Sequence, residues 1–331
     1  MLALRVHKKD GEATRRELVR LGLLSEDYSI GHDGDYLLFP LKSADSPFLK
    51  GKEIVDVELE RRERQPQSLP DALEGCGLRA FDVIGDIAVV EIPDHLKPRE
   101  REIGETLLRM HRSLKTVVAK ESGVSGEYRV RQVRHIAGEE KTETVHREHG
   151  CKFLVDVSKV YFSPRLSHER LRIAQQVHEN ENVLVLFGGV GPFAIVIAKM
   201  HPSARVYSIE LNPEGHRYAL ENARLNRLKN VVPVLGDVRE VLRDRRFWGW
   251  ADRIVMPLPK DALSFLPDVA HTAKPGCIIH AYAFCQKGRE AELAEEARRL
   301  LGRPCEIVYS RRVRTYSPET DQYVLDMRVL E

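Results

Sequence analysis

At 331 residues, with 42% hydrophobic and 31% charged side chains, the chain is long enough for two or three domains and a full-sized core. No apolar run approaches the roughly 20 residues that cross a bilayer, and the opening MLALRVHKKD turns charged at Arg5, so a cytoplasmic protein without a secretory signal is expected. The cysteines (Cys76, Cys151, Cys277, Cys285, Cys305) are scattered without C-x-x-C spacing, which argues against a disulfide framework or a zinc site, and 52 basic against 50 acidic residues argue against a polybasic nucleic-acid binder.

In chain order, LALRVHK reads as a strand, GEATRRELVRLGLL as an amphipathic helix and YSIGHDGDYLLFPLK as a strand pair around an Asp-Gly turn. Residues 1–58 are therefore expected to form a small α+β domain. The polar, proline-bearing stretch 59–72 reads as a linker. A middle α+β domain is expected over 73–156: a hairpin turning at Gly85-Asp86, the helix PREREIGETLLRMHRSL, and the strands TVVAK, EYRVRQVRHIAG, ETVHREHG and CKFLVDVSKV. Local basic character concentrates in residues 127–152 and in YSRRVRTYS, residues 309–317, which are the two segments suited to RNA.

Residues 157–331 alternate strands and helices: NVLVLF, PFAIVIAKM, ARVYSIE, EGHRYALENARLNR, VVPVLGD, DRIVMPLP, DALSFLPDVAHT, GCIIHAYAF and KGREAELAEEARRLL. That grammar predicts a doubly wound, mainly parallel sheet, with CEIVYSRRVRTYS and QYVLDMRVL as a terminal antiparallel pair. Ahead of it lies VYFSPRLSHERLRI, with Ser163 as helix N-cap and Pro164 at the first helical position. Leu166, Glu169, Ile173 and Val177 then share one helical stripe, which places a carboxylate among inward-facing apolar side chains.

Gly188, Gly189 and Gly191 follow the first strand of that sheet and open its first helix, where glycine lets a ligand approach the backbone. The run G-G-x-G followed by Pro192 lacks the third glycine of a dinucleotide fingerprint, so NAD is disfavoured. Glu210 ends the second strand, where a carboxylate can accept from ribose hydroxyls, and Asp237 ends the third, either as a helix N-cap or as an acceptor for an adenine amine. A nucleoside ligand without a pyrophosphate, S-adenosylmethionine (AdoMet), fits these three strand ends. At the end of the fourth strand Pro257 carries no side-chain donor or acceptor, which argues against simple exocyclic amine chemistry.

The segments DVSKVYFSPRLSHER, LFGGVGPFAI, SIELNP, LGD and IVMPLP, in that order, resemble the archaeal and eukaryotic tRNA (guanine-N1)-methyltransferases acting at position 37, beside the anticodon. The likeness spans essentially the whole chain. It implies a class I AdoMet-dependent methyltransferase domain preceded by two smaller α+β domains. AdoMet would be the methyl donor, and tRNA the partner, contacted at the anticodon loop and the elbow, without DNA or membrane partners. The resemblance implies Glu169 as general base and Arg129 as the support for the reacting guanine. Arg170, Phe187, Glu210, Leu211, Asp237 and Val238 would line the AdoMet site. A monomer is expected, and no metal.

Two motifs depart from the family pattern. Where relatives carry D-x-F-A-G, this chain has Val185 and Gly188 in the aspartate and alanine slots, and Pro257 replaces an asparagine in the N-L-P turn. The second departure is similar to the archaeal branch that also methylates C7 of the tricyclic wyosine precursor 4-demethylwyosine. Two other readings stand beside methyl transfer: an aminocarboxypropyl transferase of the wyosine pathway, disfavoured by SPRLSHER, and a non-catalytic tRNA-binding protein, disfavoured by the intact glycine turn and Glu210.

Overall fold

The computed structural model describes residues 1–61, 68–78, 80–121, 130 and 132–331, which divide into two compact units, Met1–Ala72 and Leu73–Glu331. In the first unit, β1 (Leu2–His7), β2 (Gly31–Asp33), β3 (Tyr36–Pro40) and β4 (Ile54–Asp56) form an antiparallel sheet in the order β2-β3-β1-β4. Helix α1 (Gly11–Arg20) seals it by placing Leu18 against Leu4, Phe39, Leu41 and Leu49. The α2 turn (Leu69–Ala72) closes the unit.

The second unit begins with β5 (Phe81–Ile84), β6 (Ile87–Val90), α3 (Glu100–Met110), β7 (Thr116–Lys120) and β8 (Val133–Gly138), a sheet in the order β5-β6-β7-β8. The β5–β6 hairpin turns at Gly85-Asp86 as the sequence predicts. Next come the antiparallel pair β9 (Glu143–Glu148) and β10 (Cys151–Asp156), then α4 (Ser167–Ala174). Their neighbours hold them: Thr144 Oγ1 donates to Asp86 at 2.7 Å, and Arg165 Nε donates to Asp82 at 2.6 Å.

The remainder is β11 (Asn182–Leu186), α5 (Pro192–Met200), β12 (Arg205–Glu210), α6 (Pro213–Leu225), β13 (Val231–Leu235), α7 (Val238–Val241), β14 (Ala251–Met256), α8 (Leu266–Ala270), β15 (Ala273–Gln286), α9 (Glu290–Leu301), β16 (Cys305–Thr315) and β17 (Thr320–Val329). Among the described residues these make a seven-stranded sheet, β13-β12-β11-β14-β15-β17-β16. The first five strands are parallel; β17 runs antiparallel to β15 and to β16. This is the class I methyltransferase topology, with the two smaller α+β parts ahead of it.

Strands β11 and β14 carry the apolar runs 183–186 and 254–256 because both sheet faces are covered there. Val183, Val185 and Val255 face α4–α6, whereas Leu184, Leu186, Ile254 and Met256 face α8 and α9. On α4 the predicted stripe faces inward: Leu166, Glu169, Ile173 and Val177 are all buried. The helix start differs from the sequence expectation. A 3-10 turn, Pro164–Leu166, precedes α4, and Ser163 makes no side-chain capping bond. Its carbonyl accepts instead from the Arg170 guanidinium at 3.1 Å. Among the described residues no helix is long and apolar enough to cross a membrane.

Candidate active site

The strand order reverses between β11 and β14, and at that switch point the carboxyl ends of parallel strands open a crevice. Register fixes what lines it. Leu186 lies beside Ile209 and Glu210 beside Leu235, so Phe187-Gly188-Gly189, Glu210-Leu211 and Asp237-Val238 follow three adjacent strand ends. Phe187, Gly189 and Gly191 have φ of 55°, 56° and 84°, a left-handed run that turns the chain sharply into α5. At Gly188 a Cβ would lie 2.1 Å from Ser208 Oγ, so a side chain there requires the Ser208 hydroxyl to turn away. At Gly189 a Cβ would meet only Tyr161 O, at 3.7 Å, so the outer face of the turn is bare backbone.

Glu210 Oε2 accepts from Gly189 N–H at 2.6 Å and Oε1 from Asn212 N–H at 2.7 Å. Burial pushes the Glu210 carboxyl up, partly opposed by these backbone N–H groups and that of Leu211. The amide that would face a phosphate in a dinucleotide site is thus spent on a carboxylate, and a second anion there would be repelled. Each Glu210 oxygen keeps a further lone pair for a hydroxyl donor. A nucleoside sulfonium fits this donor set; a pyrophosphate does not. Asp237 caps α7, its Oδ1 accepting from Arg239 N–H at 2.7 Å, and Val238 is buried behind it. Phe187 packs edge-on to Phe265 at 4.8 Å.

Glu169, 2% exposed, is held on both oxygens. Oε2 accepts from Tyr282 Oη at 2.8 Å and from Arg172 Nε at 3.0 Å, and Oε1 accepts from Arg311 of β16. Arg172 is anchored in turn by Asp326, at 2.7 Å. Asp326 also accepts from His280 Nδ1 at 2.7 Å, so the neutral imidazole presents Nε2 to Arg253, at 2.8 Å, and Arg253 pairs with Glu181. Burial holds His280 below its usual pKa, against the pull of Asp326. Burial, with the adjacent Glu169 charge, holds the Tyr282 phenol far above its usual range, so it donates. Three acids and three arginines balance along this chain, which satisfies a buried carboxylate that would otherwise cost several kcal/mol.

The TRM5/TYW2 methyltransferase domain model matches residues 144–311, with the TYW2 N-terminal domain over 62–142 and the tRNA methyltransferase 5 N-terminal domain over 3–48. The chain belongs to the TRM5/TYW2 methyltransferase family. Trm5b of Pyrococcus abyssi, a tRNA (guanine(37)-N(1))-methyltransferase, is 40% identical over 338 residues, 99% of each chain. Its crystal structure matches with a TM-score of 0.84 at 40% identity, covering 100% of both chains. The complex structure of aTrm5 and tRNALeu matches at 34% identity with a TM-score of 0.80, over 99% of this chain and 100% of that one. Taw22 of Nanoarchaeum equitans, a tRNA (guanine(37)-N(1))/4-demethylwyosine(37)-methyltransferase, is 30% identical over 67% of this chain and 88% of its own.

Within this family member, Arg170 is 1% exposed and forms a bidentate pair with Glu148 of β9, through Nε at 2.5 Å and Nη2 at 2.7 Å. Its guanidinium also lies near the Phe162 and Phe193 rings, at 5.2 and 6.0 Å. It joins the β9–β10 hairpin to α4 and α5. Pro257 follows β14 at the crevice, half-buried, in a turn closed by Leu258 N–H to Met256 O at 2.9 Å. The Arg129 expectation falls outside the described residues.

Sequence reasoning missed Tyr282, Arg172, Asp326 and Glu148. Only Arg311 carried a signal, inside the basic segment 309–317. Tyr282 shares a strand face with His280 by period two, but nothing local says which helix that face meets.

Proposed function

We propose that this protein transfers a methyl group from AdoMet to N1 of guanosine 37 in tRNA. The observation that carries the reading is an inward, hydrogen-bonded Glu169 on the helix packed beside the glycine turn. It is supported by a relative with that named activity that matches essentially the whole chain. When bound, AdoMet supplies a methyl group already activated by its sulfonium sulfur. Guanine N1 keeps its proton at neutral pH, so a base must remove it as the N–C bond forms. Oε2 of Glu169 is filled by the buried Tyr282 and Arg172, so Oε1, where the one donor described is the more exposed Arg311, is the oxygen that takes the N1 proton. Glu210 orients the ribose, the glycine turn admits the nucleoside backbone, and Asp237 and Val238 flank the adenine. Arg129 supports the charge developing on O6, while Arg170 acts by holding the hairpin against α4.

The small N-terminal unit contacts tRNA away from the anticodon, and the middle α+β part contributes to tRNA binding and the active site. The protein works as a cytoplasmic monomer. A second reading, C7 methylation of 4-demethylwyosine at the same position, is favoured by Pro257, whose side chain offers no polar group to fix the edge of a guanine.

The test is incubation of an unmodified tRNA transcript with labelled AdoMet, followed by nucleoside analysis. The expected products are 1-methylguanosine at position 37 and S-adenosylhomocysteine. Methylthioadenosine as by-product would make it an aminocarboxypropyl transferase, and no product would leave a tRNA-binding protein.

A further inference from the structure

Strand β16 is the outer edge of the seven-stranded sheet and carries Tyr309, Arg311, Arg312 and Arg314, with Tyr316 just past its end. Register shifts at Ile307/Tyr309 and Arg312/Arg314 twist this edge, which deters strand addition and leaves the side chains outward. Three guanidinium groups flanked by two exposed tyrosine rings on a twisted edge suit a single-stranded ribose-phosphate chain, by charge and by stacking. Each of these arginines already has a partner within the protein: Arg312 pairs with Asp321 at 3.6 Å, and Arg314 Nε donates to Gln322 at 2.8 Å. Arg311, 48% exposed, reaches the 2% exposed Glu169.

The three donors on Glu169 differ in how firmly they are held. Tyr282 is fully buried, and Arg172 is 16% exposed and tied to Asp326. Arg311 is the solvent-side donor, and it covers Oε1, the oxygen the mechanism needs. While Arg311 donates to Oε1, the lone pair that must receive a proton is engaged. An RNA phosphate offers a guanidinium a competing bidentate partner.

We propose that Arg311 is a positioning residue with two alternative destinations, the Glu169 carboxylate seen here and a phosphate of bound RNA. Docking of the anticodon-loop backbone along β16 draws Arg311 from Oε1 and uncovers the base only when substrate is in place. This deepens the proposed function and rests on it. Its binding consequence stands apart from catalysis: Glu169 competes with RNA for Arg311.

The experiment is a binding cycle on the full-length protein with an unmodified tRNA transcript across a salt series. In Glu169→Gln the amide oxygen can accept from Tyr282 and Arg172, which turns the NH2 group against Arg311 and releases it. That variant is expected to bind tRNA about 2–10-fold tighter than the parent. Arg311→Met is expected to bind more weakly, with a log–log salt slope shallower by about 0.7, one single-strand phosphate contact. In the Arg311→Met background the gain from Glu169→Gln is expected to vanish, and Arg311→Lys is expected to keep the parent slope. A gain that persists without Arg311 would mean long-range charge alone and overturns the proposal. An unchanged slope in Arg311→Met, or no gain in Glu169→Gln, overturns it equally. Single-turnover methylation by Glu169→Gln is read separately: a parent-like rate there removes the base assignment, whatever the binding cycle gives.

Discussion

Asn222 of α6 hydrogen-bonds Leu154 of β10 in both directions, accepting its N–H at 2.6 Å and donating to its carbonyl at 3.1 Å. A side chain thus does for β10 what a neighbouring strand would do. Asn226, one helical turn on, does the same for Lys152, at 2.9 and 2.7 Å. Asn222 Nδ2 also donates to Val190 O at 3.1 Å, within the glycine turn. Asn222→Ala leaves two buried carbonyls and one amide unpaired. The expected loss is about 2–4 kcal/mol of stability, read as a lower denaturant midpoint for the transition of the larger unit. A change under about 0.5 kcal/mol would show that water replaces the amide without loss.

Acid should unseat the pair that holds the hairpin to α4. Burial pushes the Glu148 carboxyl up, but hydrogen bonds with His146 and Arg170 outweigh it and bring it down to about 2. A depressed folded-state pKa stabilises at pH above the unfolded carboxyl value of 4.5, and that stability is lost as pH falls from there towards 2. The linked contribution is up to about 3 kcal/mol. Thermal melts of the parent between pH 6 and 2.5 are expected to fall more steeply than those of Glu148→Gln, which is weaker at neutral pH. Parallel curves would sink the assignment.

Catalysis should depend on the charge of Glu169 more than on its shape. Glu169→Gln is expected to lower single-turnover N1 methylation by about 10²–10⁴-fold with AdoMet affinity little changed. Isothermal titration with AdoMet and rapid-quench kinetics separate the two. A large loss of AdoMet binding would make Glu169 a support of the cofactor crevice.

Pro257→Asn restores an amide to the turn after β14. Guanosine N1 methylation is expected to change modestly, about 2–5-fold, while any C7 methylation of the tricyclic base is selectively impaired. Supplying unmodified tRNA and tRNA bearing the tricyclic precursor in parallel decides it. Equal loss of both products would make the turn purely structural.

Removal of residues 1–72, one compact unit, is expected to weaken binding of intact tRNA by about tenfold or more and to leave AdoMet binding in place. Loss of AdoMet binding together with tRNA binding would place this unit in the structural support of the catalytic domain.

The sequence by itself determined the features that rest on local periodicity. Alternating apolar strands and helices required a sheet covered on both faces, and the topology bears this out. The stripe Leu166, Glu169, Ile173 and Val177 turned the glutamate inward because a helix repeats every 3.6 residues. The glycines after β11 and the acid after β12 were legible because strand ends and helix starts carry their own residue signals. Tertiary structure alone decided what those groups touch. Tyr282 and Arg311 reach Glu169 from 113 and 142 residues away, and Glu148 reaches Arg170 across 22. A charged side chain reads as exposed until its partners are placed, since long-range packing, not spacing, brings compensating charges together. The same packing left Arg311 at the rim and Arg172 inside, a difference that no pattern in SPRLSHER or YSRRVRTYS could encode.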